Sequence, residues 1–154
     1  METVITFDKG ISWHKIDSKM IKGDTTCKDK ICNLQIHGRF SISKHVHVPK
    51  TVVSSKAAPG LVIAHGNLGD ALASSNVDVF VSKDGGYHWK KSLTGQHEYQ
   101  ILDHGNIIAA IESSTSQDRN IDSIKLSFDQ GDCWIEYKFA EEKIEYWVYF
   151  KKNT

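Results

Sequence analysis

Short apolar runs separated by polar turns set the rhythm of this chain. The runs are Val4–Phe7, Ser12–Ile16, Cys32–Ile36, Gly60–His65, Val77–Ser82, His88–Leu93, Tyr99–Asp103, Asn106–Glu112, Ser123–Phe128, Cys133–Phe139 and Ile144–Phe150. Each is rich in β-branched and aromatic residues and bounded by Gly, Asn or Asp, the pattern of a strand between turns. Only Gly69–Ser75, through Ala71-Leu72-Ala73, suggests a turn of helix, and no amphipathic helix stands out. The pattern predicts an all-β fold.

Three of the turns carry the same letters. Thr6-Phe7-Asp8-Lys9-Gly10-Ile11-Ser12-Trp13, Ser82-Lys83-Asp84-Gly85-Gly86-Tyr87-His88-Trp89 and Ser127-Phe128-Asp129-Gln130-Gly131-Asp132-Cys133-Trp134 all read Ser/Thr-x-Asp-x-Gly-x-x-Trp. An apolar strand enters each box. The Asp carboxylate is suited to accept backbone N–H groups within the turn. The Gly supplies a backbone geometry that a Cβ opposes, and the Ser or Thr hydroxyl adds a local bond. The Trp starts the outgoing strand and is expected to pack back under the turn. These residues therefore read as structural, since an Asp with its lone pairs committed is a poor general acid or base.

The boxes start at residues 6, 82 and 127, so they are 76 and then 45 residues apart. A propeller blade takes about 40–45 residues. The second interval is one blade, and the first is one blade plus an insertion. The expected architecture is a single partial β-propeller over 1–154, built from four-stranded antiparallel blades with box hairpins. It divides into a blade hairpin at 3–17, a blade at 32–93 with an insertion at 18–59, a blade at 98–139 and an extra strand at 144–150.

Composition narrows the function. Nineteen Lys and Arg balance nineteen Asp and Glu over 154 residues, which argues against nucleic-acid binding through bulk positive charge. No run of 18 apolar residues is long enough to cross a membrane, and Met1-Glu2-Thr3-Val4 shows no signal peptide. Arg39 and Arg119 are the only arginines, too few for the arginine cluster with which a sialidase holds a substrate carboxylate. No Gly-rich phosphate loop, nucleophile elbow or Ser-His-Asp order occurs. No enzyme activity, cofactor or metal is expected.

The remaining chemistry lies in Cys and His. Cys27 and Cys32 are separated by four residues in a polar stretch, compatible with a small disulfide loop or with free thiols. Zinc ligation lacks a second ligand pair at the right spacing. Cys133 is the odd cysteine, either buried and free or parted from a partner outside the chain. His45-Val46-His47 places two imidazoles on one face without a third ligand nearby, and reads as exposed. His65, His97 and His104 stand beside turns and are expected to bond there.

These boxes resemble the Asp-box repeats of the sortilin family of sorting receptors, whose extracellular propeller has ten blades. The resemblance extends to Ala58-Pro59-Gly60-Leu61-Val62-Ile63-Ala64-His65-Gly66-Asn67-Leu68-Gly69, and to Val79 through Trp89. It extends further to Ile101-Leu102-Asp103-His104-Gly105-Asn106-Ile107-Ile108-Ala109-Ala110-Ile111. It covers nearly the whole chain and concerns the late blades only. Cys27 and Cys32, ahead of Asn33-Leu34-Gln35-Ile36-His37, resemble the family's small disulfide loop. By the same resemblance Cys133 pairs with an early blade, which is absent here. Asn106 stands where the family usually has Gly. Neither Arg39 nor Arg119 aligns with the Arg that holds a peptide carboxylate, so no ligand-binding residue carries over.

Two and a half blades leave apolar faces and strand edges open, and both invite contact. The resemblance implies a secreted, truncated binding module for a protein, a peptide or a cell surface. Lipid binding through an open blade face, or an inert structural fragment, are the alternatives. The aromatic run Tyr146, Trp147, Tyr149 and Phe150 is the expected self-association strand of a homodimer.

Overall fold

The computed structural model describes residues 2–23, 32–43, 46, 48–113, 120–141 and 144–145. Cys27, His45, His47, Arg119 and the aromatic run Tyr146, Trp147, Tyr149 and Phe150 lie outside the described residues. Among the described residues fourteen strands follow one another: β1 Val4–Ile5, β2 His14–Lys15, β3 Ile21–Lys22, β4 Asn33–Ile36, β5 Val53–Ser55, β6 Ala58–Gly69 and β7 Asp78–Ser82. Then come β8 Trp89–Leu93, β9 His97–Leu102, β10 Ile107–Glu112, β11 Asn120–Ile121, β12 Ser123–Ser127, β13 Ile135–Lys138 and β14 Ile144–Glu145. The described α-helix, α1, is Arg39–Ser43. The stretch Gly69–Ser75 forms bends after β6 instead of a helical turn.

The fold is all-β and matches a partial propeller. The last blade is a four-stranded antiparallel sheet, β9–β10–β12–β13 in spatial order. The middle blade is β4–β6–β7–β8, and the hairpin β1–β2 stands before it. The 18–59 segment is more than a loop. It supplies β3, which adds to β8 in parallel, and β5, which pairs with the Ala58–Ile63 half of β6 while β4 takes the Gly66–Gly69 half. Two short strands thus share one edge of the longest strand. The described part of the last run, β14, pairs with β11 of the same chain.

Strand alternation explains how the middle blade holds its neighbours, because successive side chains point to opposite faces. Ile63, Val79, Val81 and Leu93 join Tyr99, Ile108 and Ala110 in a core between the middle and last blades. Ala64, Phe80 and Trp89 join Leu34 and Ile16 in a second core, against which Ile5 and Met20 pack. Both faces of β7 are therefore buried, as its unbroken apolar run Val79-Phe80-Val81 requires. The backbones come close at Gly66, where an added Cβ would lie 2.7 Å from Leu34 Cδ1 and 3.0 Å from the Gln35 carbonyl.

Candidate functional site

Each box closes through the same bonds. The hydroxyl of Thr6, Ser82 or Ser127 donates to the Asp Oδ1 at 2.8, 3.0 and 2.8 Å, and accepts the Gly N–H at 2.8, 2.8 and 2.7 Å. Asp8, Asp84 and Asp129 Oδ1 each accept the backbone N–H four residues on, at 2.9, 2.8 and 2.9 Å. Gly10, Gly86 and Gly131 hold φ of +93°, +98° and +89°, a region that L side chains avoid.

The bonds fix the charge of each Asp. The Ser12 hydroxyl and backbone N–H lower Asp8 to about 2. At Asp84, burial opposes ionisation but is outweighed by the His88 backbone, the His88 ring and the Ser82 hydroxyl, which hold it at about 2. The Cys133 backbone N–H does the same for Asp129, against burial and with help from Ser127, again to about 2. Such carboxylates are acceptors locked in the ionised form, and none is suited to proton transfer at neutral pH.

The tryptophans differ. Trp89 is buried, and its Nε1 donates to the Gly86 carbonyl at 2.8 Å. Trp134 reaches back to the middle blade, donating to Ser92 Oγ at 3.0 Å, while that hydroxyl donates to the Gly131 carbonyl at 2.6 Å. The register between β7 and β8 shifts beside Ser92, which leaves this residue out of the ladder and available to the next box. Trp13 is 59% exposed.

Consecutive boxes also touch each other. Phe7 of the first meets Tyr87 of the second, ring centroids 5.2 Å apart. Lys83 of the second reaches the Asp132 carboxylate of the third at 2.5 Å, and Lys90 reaches it at 3.0 Å. These lysines line a cleft with Lys22, His88 and Gly131. Cys133 is free among the described residues and exposed on the third turn, which corrects the expectation of a buried free thiol.

Three histidines, His37, His65 and His97, are buried, which corrects the reading of His65 and His97 as turn residues. His37 follows β4, His65 lies within β6 and His97 opens β9. His65 Nδ1 donates to the Lys50 carbonyl at 2.8 Å, and its Nε2 accepts the His97 backbone N–H at 3.2 Å. His97 Nδ1 donates to the Gly95 carbonyl, the one bond to a turn that sequence anticipates, and its Nε2 accepts from the Lys125 ammonium at 3.0 Å. Both rings are neutral with assigned tautomers, and neither has a lone pair left for a proton. Burial lowers all three, His65 to about 4. His104 sits in the 3-10 turn Asp103–Gly105 with φ of +56°.

The last blade has one covered face and one open face. Residues opposite each other across an antiparallel ladder share a face. Leu102 pairs with Ile107, Leu126 with Ile135 and Ile124 with Tyr137, all on the side away from Tyr99 and Ile108. On this side Leu102, Ile135 and Tyr137 are 42, 50 and 47% exposed. Sequence predicts open blade faces, but only the ladder register says which residues stand on one.

A family model described as Sortilin-Vps10 (sortilin, neurotensin receptor 3) matches residues 1–148. Sortilin of Rattus norvegicus is 45% identical over 146 residues, covering 94% of this chain and 17% of its own length. Sortilin of Danio rerio is 41% identical over 147 residues, 94% of this chain and 18% of its own. The human sortilin-related receptor is 33% identical over 149 residues, 94% of this chain and 6% of that protein. The chain thus spans less than a fifth of the length of the sortilins it matches.

Proposed function

The chain belongs to the sortilin (Vps10) family, and from that premise we propose that it is a secreted, non-enzymatic binding module for a protein or peptide ligand. One observation carries the reading: the last blade buries one apolar face and leaves its other, through Leu102, Ile135 and Tyr137, in solvent. Exposed apolar area of this kind is the usual mark of a protein contact. The committed Asp carboxylates support the non-enzymatic half of the proposal. In an oxidising compartment the Cys27–Cys32 pair closes as a disulfide. Self-association through the same face belongs to this proposal.

The test is selection from a displayed peptide library on the immobilised 154-residue chain. Enriched peptides are then measured against wild type and Tyr137→Lys by surface plasmon resonance. Enriched binders that lose about tenfold or more in affinity on the variant support the reading, since one central aromatic often carries that much. No enriched peptide, or equal binding by the variant, overturns it. Flotation of the chain with phosphatidylcholine–phosphatidylserine vesicles in the absence of peptide binding points to lipid instead.

A further inference from the structure

The two blades finish differently at their outer strands. On the middle blade, β3 runs along β8 and covers its Trp89–Lys90 stretch. That cap comes from the segment between β2 and β4, residues 16–32. The matching segment ahead of the last blade, between β8 and β9, is residues 94–96, too short to supply a strand. Beyond β13, Ile121 pairs with Ile144 while Ser123 pairs with Lys138, so β14 prolongs the line of β13 beside β11. Among the described residues β13 is the last strand of its sheet, and all four of its residues are exposed. A sheet edge points along the sheet, away from both faces on which blades stack.

The ladder fixes which backbone groups look outward from this edge. The Phe139 N–H donates to the Asp122 carbonyl at 2.8 Å. Antiparallel pairs alternate between bonded and non-bonded, so Tyr137 with Ile124 and Ile135 with Leu126 are bonded pairs too. The N–H and C=O of Glu136 and Lys138 therefore point away from β12. These two side chains are oppositely charged and share one face of the strand, with Ile135, Tyr137 and Phe139 on the other. Glu136 accepts from the Ser123 hydroxyl at 2.7 Å and Lys138 stands 3.9 Å from Asp122, exposed contacts that a further partner can share. The strand that best matches this edge in antiparallel order offers Lys opposite Glu136, Glu opposite Lys138 and an apolar residue between. β13 itself meets that description. Turned about a twofold axis at Tyr137, it sets Glu136 against Lys138, Tyr137 against Tyr137 and Ile135 against Phe139. The neighbouring registers set Glu136 against Glu136 or Lys138 against Lys138, and like charges directly opposite are unfavourable.

We propose that two copies of this chain join edge to edge, β13 on β13, making one continuous antiparallel sheet from two four-stranded blades. Each Glu136–Lys138 pair exchanges two backbone hydrogen bonds and adds an ion pair, with the Tyr137 pair between them. The contact is isologous and closes at two copies, so it does not run on as a fibre. It uses the backbone rim of the blade and does not rest on the reading of the open face.

The test is sedimentation equilibrium on the wild type, Glu136→Lys, Lys138→Glu and the double swap Glu136→Lys/Lys138→Glu. Both positions are exposed, so the variants fold as the wild type does, which circular dichroism checks. Alongside, Tyr137→Cys in a Cys133→Ser background is mildly oxidised, and its cross-links are located by peptide mass mapping. The expected result is a dimer for the wild type and the double swap alike, and a dissociation constant at least tenfold weaker for each single variant. Tyr137→Cys should form a disulfide between two copies of position 137, since facing residues of a non-bonded pair lie close enough for one. A monomeric wild type, or a double swap as weak as the single variants, overturns the proposal. The lack of a link between two copies of position 137 overturns the twofold register. A dimer that both single charge variants leave unchanged overturns the edge contact, and if Tyr137→Lys abolishes that dimer the open face joins the copies instead. Peptide binding by the open face is scored on its own, so either reading can fail without the other.

Discussion

Acidification should loosen the junction between the middle and last blades. His65 ionises in the fold only near pH 4, against an ordinary value of 6.5, and burial is the main cause. Between those values the unfolded chain takes up a proton that the folded chain refuses, so stability falls as pH falls. The contribution is complete above about pH 6.5 and levels off below about pH 4. Linkage puts the loss from His65 at about 2 kcal/mol by pH 5 and about 3 kcal/mol by pH 4. His97 and His37 are lowered by burial too and add in the same direction.

The surrounding charges set the rest of the profile. His37 and His97 disfavour the charged form of His65, and Lys125 does the same to His97, while Glu112 and Asp78 support the charged form of His97. Burial lowers Lys50 and raises Glu98. Glu98 therefore works the opposite way, giving back stability as it takes up a proton in the acid range. The box carboxylates stay ionised down to about 2, so their stabilisation is lost only below about pH 4. Between pH 6.5 and 4.5 the histidines lower the stability and Glu98 opposes them. Urea unfolding followed by tryptophan fluorescence at pH 7, 6, 5 and 4.5 reads this balance directly. In His65→Gln the amide can accept from His97 and donate to Lys50 without titrating, so the slope should flatten. A wild-type profile that is flat from pH 7 to 5, or an unchanged slope in the variant, would refute the reasoning.

Ser92→Ala should destabilise the chain by about 1–3 kcal/mol, because it strands the Trp134 indole N–H and the Gly131 carbonyl together. In a denaturant cycle with Trp134→Phe the two losses should add to less than their sum; strict additivity would show that the hydroxyl does not couple the blades. Alkylation of the unfolded, unreduced chain should modify Cys133 alone, and uptake of three labels per chain would remove the disulfide from the proposal.

The strands and boxes were legible because their signals are local. A turn that needs Asp for its N–H groups and Gly for its backbone writes both letters within eight residues. The two-residue pairing of β3 with β8, and the shared edge of β6, depend on partners far along the chain and leave no periodic trace. The buried histidines were misread for a similar reason. His65 and His97 stand near glycines, as turn residues do, and only packing shows that Lys50, Lys125 and Tyr99 surround them. Trp13 carries the same box letters as Trp89, yet burial depends on a neighbouring blade and not on the box. The contact between consecutive boxes was hidden because Phe7–Tyr87 and Lys83–Asp132 share a position and no chemistry.

The parallel strand β3 has a bearing on solubility. Strand β8 carries Trp89 and Leu93, and a bare row of backbone donors and acceptors along such a strand is a template for another chain. Met20 accepts the Trp89 N–H at 2.7 Å, and Ile21 and Lys22 occupy the next places. Residues 20–22 thus serve as a gatekeeper against amyloid-like stacking, and their lysine turns away a further strand by its charge. Two residues of pairing add little to the folding free energy. Their main effect is that the Trp89–Lys90 end of β8 is already occupied, which denies a foreign strand that stretch of backbone.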